Sequence, residues 1–130
     1  MTSTLRLASG LRIATGIGLL LTAGLHGSGY PQIVALAGAS GADVKVLMPA
    51  LWLAFSLHYL VFGILVLFAA GSRNPLSARL LAVAALGPLV DALLQVIYLG
   101  FIPPTAVLLI VGALGLAAAA ASRSSRYLAD

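Results

Sequence analysis

The chain has 130 residues, of which 62% are hydrophobic and only 8% charged, with a net charge of +4 and a mean hydropathy of +1.13. A soluble domain carries about 25% charged residues, so this chain cannot cover a water-facing surface, and its length allows one bundle of membrane spans. The absence of cysteine excludes disulfides, thiolate metal ligands and thiol redox catalysis.

The arginines stand in pairs beside apolar runs rather than in a basic patch interleaved with aromatics, so nucleic acid is not an expected partner. Membrane lipid is. There is no N-x-S/T acceptor and no N-terminal myristoylation signal.

The first span is expected over about residues 11–29, opened by Arg12 after a short lead carrying Arg6. Two arginines before an apolar core also fit a signal peptide, but the following AGLHGSGY lacks a clean small-x-small cleavage site, and a retained helix is expected. Pro31 should end that helix. Residues 31–41 read as a loop with a short interfacial helix, Asp43 as the cap of a turn, and Lys45 as the last charge before the next span.

The second span, about 47–69, begins with Pro49 in its first turn, where a missing N–H costs nothing. Asn74-Pro75 is a helix start, with Asn as cap and Pro as first residue. The third span, about 76–99, is expected to bend at Pro88. Pro103-Pro104 forces a tight link into the fourth span, about 105–121. The fold class is therefore all-α, a four-helix transmembrane bundle.

Loop charge orients it. Arg6, Arg12, Arg73, Arg79, Arg123 and Arg126 fall on one side and Lys45 on the other, which predicts a multi-pass protein of the cell membrane with both termini cytoplasmic. Gly10, Ala14 and Gly18, and likewise Ala113, Ala117 and Ala121, repeat every four residues. Such rows suit close helix packing within one bundle, or between the copies of a homodimer.

The polar residues inside these spans mark the candidate site. A polar group in hydrocarbon costs several kcal/mol without a partner, and an intramembrane acid is by default a functional residue. With about 1.5 Å of rise per residue, His58 lies roughly 16 Å and Asp91 roughly 13 Å below the same face. Their depths match, and the two are expected as an acid–base pair. Asp91, Gln95 and Tyr98 share one helix face, as do Trp52, Ser56 and Tyr59 on the second span, and Thr15, Thr22 and His26 on the first. His58 points well away from the Trp52 face. His26 is placed about three residues from the end of its span, in a shallower layer with Gln95, Trp52, Tyr30 and Tyr98. A structural reading stands beside each role: Asp91 and His58 as bonded core groups, Tyr30 and Tyr98 as interfacial aromatics.

The function these residues suggest is acid–base catalysis on a lipophilic small molecule, of isomerase, epoxide hydrolase or cyclase type. Asp91 and His58 would move protons, and Trp52, Ser56, Tyr59, Gln95, His26 and Tyr98 would hold the substrate. No metal and no cofactor is expected. A bis-histidine haem needs both imidazoles at one depth, and these two are placed roughly 12 Å apart. The alternatives are a proton-coupled carrier using Asp91 in a dimer, and an accessory subunit of a membrane complex.

Overall fold

The computed structural model describes residues 3–72 and 74–127. Among them are five helices and no strand: α1 (Ser3–Ser28), α2 (Tyr30–Gly38), α3 (Ala42–Ala69), α4 (Pro75–Leu99) and α5 (Pro103–Tyr127). Four stretches are helical, long and apolar enough to cross a membrane, which suggests a multi-pass membrane protein. The outward faces agree with this: Leu21, Leu25, Phe68, Ile97 and Ile110 are all exposed.

Arg12, in the first half of α1, bonds Ser122 near the end of α5 and Ala69 at the end of α3, so the start of α1 and the end of α5 share one end of the bundle. α1 packs between α3 and α5, and α5 packs between α1 and α4. Of the long helices packed side by side, α3 and α4 touch least, leaving one loose seam, and α2 lies on α3. The core runs through Leu19, Tyr59, Val66, Leu81, Leu108 and Val111.

α1 ends at Ser28, close to the expected end, and the short helix expected after it is α2. The two are separated at Gly29, where an added Cβ would lie 2.9 Å from the Trp52 ring. Pro31 occupies the first turn of α2, where its missing N–H has no helical partner to lose. Together α1 and α2 form one apolar stretch reaching Gly38.

α3 also starts early, at Ala42. Asp43 lies in its first turn, where a carboxylate faces the positive end of the helix. Pro49 is accordingly inside the helix and buried, not in the first turn. Asn74 caps α4, its Oδ1 accepting from Leu76 N–H at 2.9 Å. α4 ends at Gly100, whose φ of 76° belongs to glycine.

The close helix approaches are not made by the regular small-residue rows. Gly10, Ala14, Ala113 and Ala117 face outward, and Ala121 is half-buried; Gly18 meets another helix closely, at Val111. α1 and α3 cross at Gly16 and Gly63, where a Cβ on Gly63 would lie 3.0 Å from the Gly16 carbonyl oxygen. α4 and α5 meet at Ala85 and Gly112, with 3.3 Å between the Ala85 carbonyl oxygen and a Cβ placed on Gly112. Spacing finds rows of small residues, but which row faces a neighbour depends on the helix rotations.

Arg12 is not a loop charge. It is 7% exposed and ties three elements together. Its Nη1 donates to the carbonyls of Ala69 (3.0 Å) and Ser72 (2.5 Å), and its Nε and Nη2 donate to Ser122 Oγ at 3.1 and 2.8 Å. The last carbonyls of a helix lack intrahelical donors and carry negative partial charge. Arg12 supplies both donor and cation to the end of α3, and holds α5 beside it.

Candidate functional site

The stripe Met48, Phe55, Tyr59, Phe62, Val66 of α3 faces the seam toward α4 at helical spacing. Phe62 marks where the seam closes, its ring lying 4.0 Å from a Cβ placed on Gly87 of α4. On one side of this crossing is a small apolar gap of ≈ 50 Å³, walled by Phe62, Val66, Leu81 and Ala84. On the other, along the same stripe, is a groove of ≈ 260 Å³ lined by Val44, Leu47, Met48, Leu51, Trp52 and Phe55. The polar residues lie between the two.

Asp91 is half-buried on α4, and Tyr59 of α3 donates its hydroxyl proton to Asp91 Oδ2. This bond spans the loosest seam of the bundle. A carboxylate has about four acceptor positions, so one donor leaves capacity for a second.

His26, near the end of α1, stacks on Trp52 with ring centroids 3.9 Å apart and planes 15° apart. It meets the Phe55 ring edge-on at 6.3 Å. The Trp52 indole Nε1–H donates to the His26 carbonyl at 2.7 Å, which locks the two residues together. His26 Nε2 is buried and has no hydrogen-bond partner among the described residues. Ser56 is buried beside Gly27 and donates to the Trp52 carbonyl at 3.2 Å.

The structure does not form the expected His58–Asp91 pair. His58 is exposed, its Nδ1 lies 2.9 Å from the Ala54 carbonyl of its own helix, and its ring is tilted against Phe62 at 6.2 Å. Neighbours on a helix point about 100° apart, so with Tyr59 turned into the seam His58 is turned out of it. Tyr59 takes the place expected of His58. Gln95 is half-buried and engaged with α5, its Oε1 accepting from Thr105 Oγ1 at 2.9 Å. Tyr98 is 78% exposed and stands outside the cluster. Thr15 and Thr22 donate to carbonyls of their own helix.

His26 stacks on Trp52, so these two share one layer. Tyr59 lies seven residues further along α3, about 10 Å of rise, and His58 six residues further, about 9 Å. The difference in depth between the two imidazoles therefore stands, and the outward direction of His58 separates them further.

The described residues hold no group of three His, Cys, Asp or Glu side chains suited to a metal ion. The arrangement offers a phenol bonded to a carboxylate and, nearer the start of α3, an imidazole stacked on Trp52. Compared with family models, characterised proteins and solved structures, the chain matches none.

Proposed function

We propose that the chain is a small enzyme of the cell membrane, with both termini cytoplasmic, that moves protons on a lipophilic small molecule. Asp91 and His26 are the proton-handling groups, Tyr59 positions Asp91, and Trp52, Phe55 and Ser56 form the wall. The observation that carries this reading is the Tyr59–Asp91 hydrogen bond, which holds an acid inside a span where hydrocarbon makes a carboxyl costly.

The chemistry balances without a further reactant. Asp91 and His26 hold one proton between them. The protonated member delivers it to the substrate and the other member accepts one from the substrate. An alkene or carbonyl isomerises by this exchange, and the pair ends with the same total charge. Opening an epoxide uses the same two groups, with water or an internal alkene as nucleophile and its released proton taken by the basic member. Concerted proton transfer of this kind is worth about 10²–10⁴ in rate.

The test compares lipophilic extracts of cells making the wild-type chain with those making Asp91→Asn, at equal amounts of folded protein in the membrane. The reading expects at least one apolar metabolite to be converted by the wild type and left by the variant. Identical extracts would contradict it.

A further inference from the structure

We infer that the seam between α3 and α4 is a lateral gate, latched by the Tyr59–Asp91 bond, and that it opens at the end of the bundle away from Arg12. The inference rests on packing and stands whether or not the chain is an enzyme.

The long helices form two tight pairs. α1 and α3 approach closely at Gly16 and Gly63, and are tied again where the Trp52 Nε1–H donates to the His26 carbonyl. α4 and α5 approach closely at Ala85 and Gly112, and are tied again where Thr105 Oγ1 donates to Gln95 Oε1. Close-packed surfaces of this kind leave no slack, so each pair moves as one body. The two bodies meet along two lines. On one line α1 packs firmly on α5, with Gly18 against Val111 and Gly115 against Thr15. On the other, α3 and α4 touch little. Two bodies joined firmly along one side part on the other.

The weak side is held at one level. Among the described residues, Tyr59–Asp91 is the hydrogen bond that joins α3 to α4. Beside it the helix faces do not mesh: the ≈ 50 Å³ gap is walled by Phe62 and Val66 from α3 and by Leu81 and Ala84 from α4. A void forfeits the dispersion contacts that its lining would make in a filled interface. Losing one hydrogen bond of ordinary strength multiplies an open population by about three- to tenfold, so a single bond is enough to act as a latch.

Arg12 decides which end opens. It donates to Ala69 and Ser72 at the end of α3 and to Ser122 of α5, and so pins the two bodies together there. Beyond Asp91, toward the α4–α5 link, no hydrogen bond joins the two bodies among the described residues. In the closed seam Tyr59 is 4% exposed and Asp91 half-buried. Opening bares both to a molecule arriving from the side of the bundle. It also parts Asp91 from its donor, which hydrocarbon makes costly, so closed is the resting state.

The chain has no cysteine, so introduced cysteines can carry spin labels without background. Leu53→Cys with Ile97→Cys spans the seam on the open side of Tyr59 and Asp91, and Phe68→Cys with Val83→Cys spans it on the Arg12 side; all four native side chains are exposed. Distances are measured by pulsed dipolar resonance on the full chain in nanodiscs. In the wild-type background the Leu53/Ile97 pair should show a broader distribution than the Phe68/Val83 pair, with a minor longer component. Tyr59→Phe should raise that component about three- to tenfold and leave the Phe68/Val83 pair unchanged. The added distance should exceed the roughly 1–2 Å by which packed helices ordinarily slide. Asp91→Asn keeps an acceptor for Tyr59 and should stay near the wild type. A Leu53/Ile97 distribution unmoved by Tyr59→Phe, or both pairs widening together, would overturn the gate. Equal widths of the two pairs in the wild-type background would overturn it even if Tyr59→Phe failed to fold.

Discussion

Tyr59 of α3 donates its hydroxyl proton to the Asp91 carboxylate of α4, across the seam where these two helices otherwise touch least. The bond holds the acid of the site in place and also closes the bundle on its weakest side. Tyr59→Phe keeps the ring and removes the donor. The variant should lose about 1–3 kcal/mol, the cost of leaving a buried acceptor without its partner, and its unfolding temperature in detergent should fall by several degrees. Asp91→Asn, which keeps an acceptor for Tyr59, should fall less. Equal unfolding temperatures for Tyr59→Phe and the wild type would show the bond to be dispensable.

Arg12 and Ser122 give the second stability test. Replacing Arg12 by Leu leaves the Ala69 and Ser72 carbonyls and Ser122 without this donor, in a place Arg12 now fills to 7% exposure. Leaving a buried acceptor without its donor costs about 1–3 kcal/mol. Arg12→Leu should aggregate on size-exclusion chromatography. Arg12→Lys keeps the charge but cannot reach both elements in a fork, and should be intermediate. A monodisperse Arg12→Leu of wild-type stability would contradict this role.

Two alanine substitutions separate the packed glycines from the outward ones. Gly63→Ala places a Cβ 2.8 Å from Leu20 and 3.0 Å from the Gly16 carbonyl oxygen, so it should lower stability by about 1–3 kcal/mol. Gly10→Ala meets nothing within 4 Å and removes backbone freedom from a helix, so it should be neutral or slightly stabilising. Reversed effects in a thermal-shift measurement would mean that the α1–α3 crossing lies elsewhere.

Orientation follows from the charges left at the ends. Arg6, Arg79 and Arg123 are exposed at the end that holds the termini, and Lys45 lies at the other. Single cysteines at Ser40 and at Ser125 should label with an impermeant maleimide from outside and only after permeabilisation, respectively. Labelling of position 125 in intact cells would invert the topology.

Helix number and class were legible because hydropathy and span length report on them directly. The Asn74 cap and the loop glycine Gly100 follow the local chemistry of helix ends. The helix starts were harder. Pro49 suits a first turn, yet it stands two turns inside α3, where tertiary packing tolerates it. The wheel angle between His58 and the Trp52 face was legible and pointed against the His58–Asp91 pair. What sequence could not supply was which helix Asp91 would meet, since this depends on the rotations set by Gly16, Gly63 and Gly112. Arg12 looked like every other arginine beside a span because burial at a helix end leaves no mark in composition.

The most direct test of the site sets the two histidines against each other. His26→Gln and His58→Gln are made beside Asp91→Asn, each is checked for folding in detergent, and conversion of the metabolite that depends on the wild-type chain is measured. His26→Gln and Asp91→Asn should each fold and lose about two to four orders of magnitude in rate. Their double variant should be little worse than either, because the two groups act as a unit. His58→Gln should convert at the wild-type rate. Full activity in folded His26→Gln together with loss of activity in His58→Gln would contradict the site built on Asp91, Tyr59 and His26.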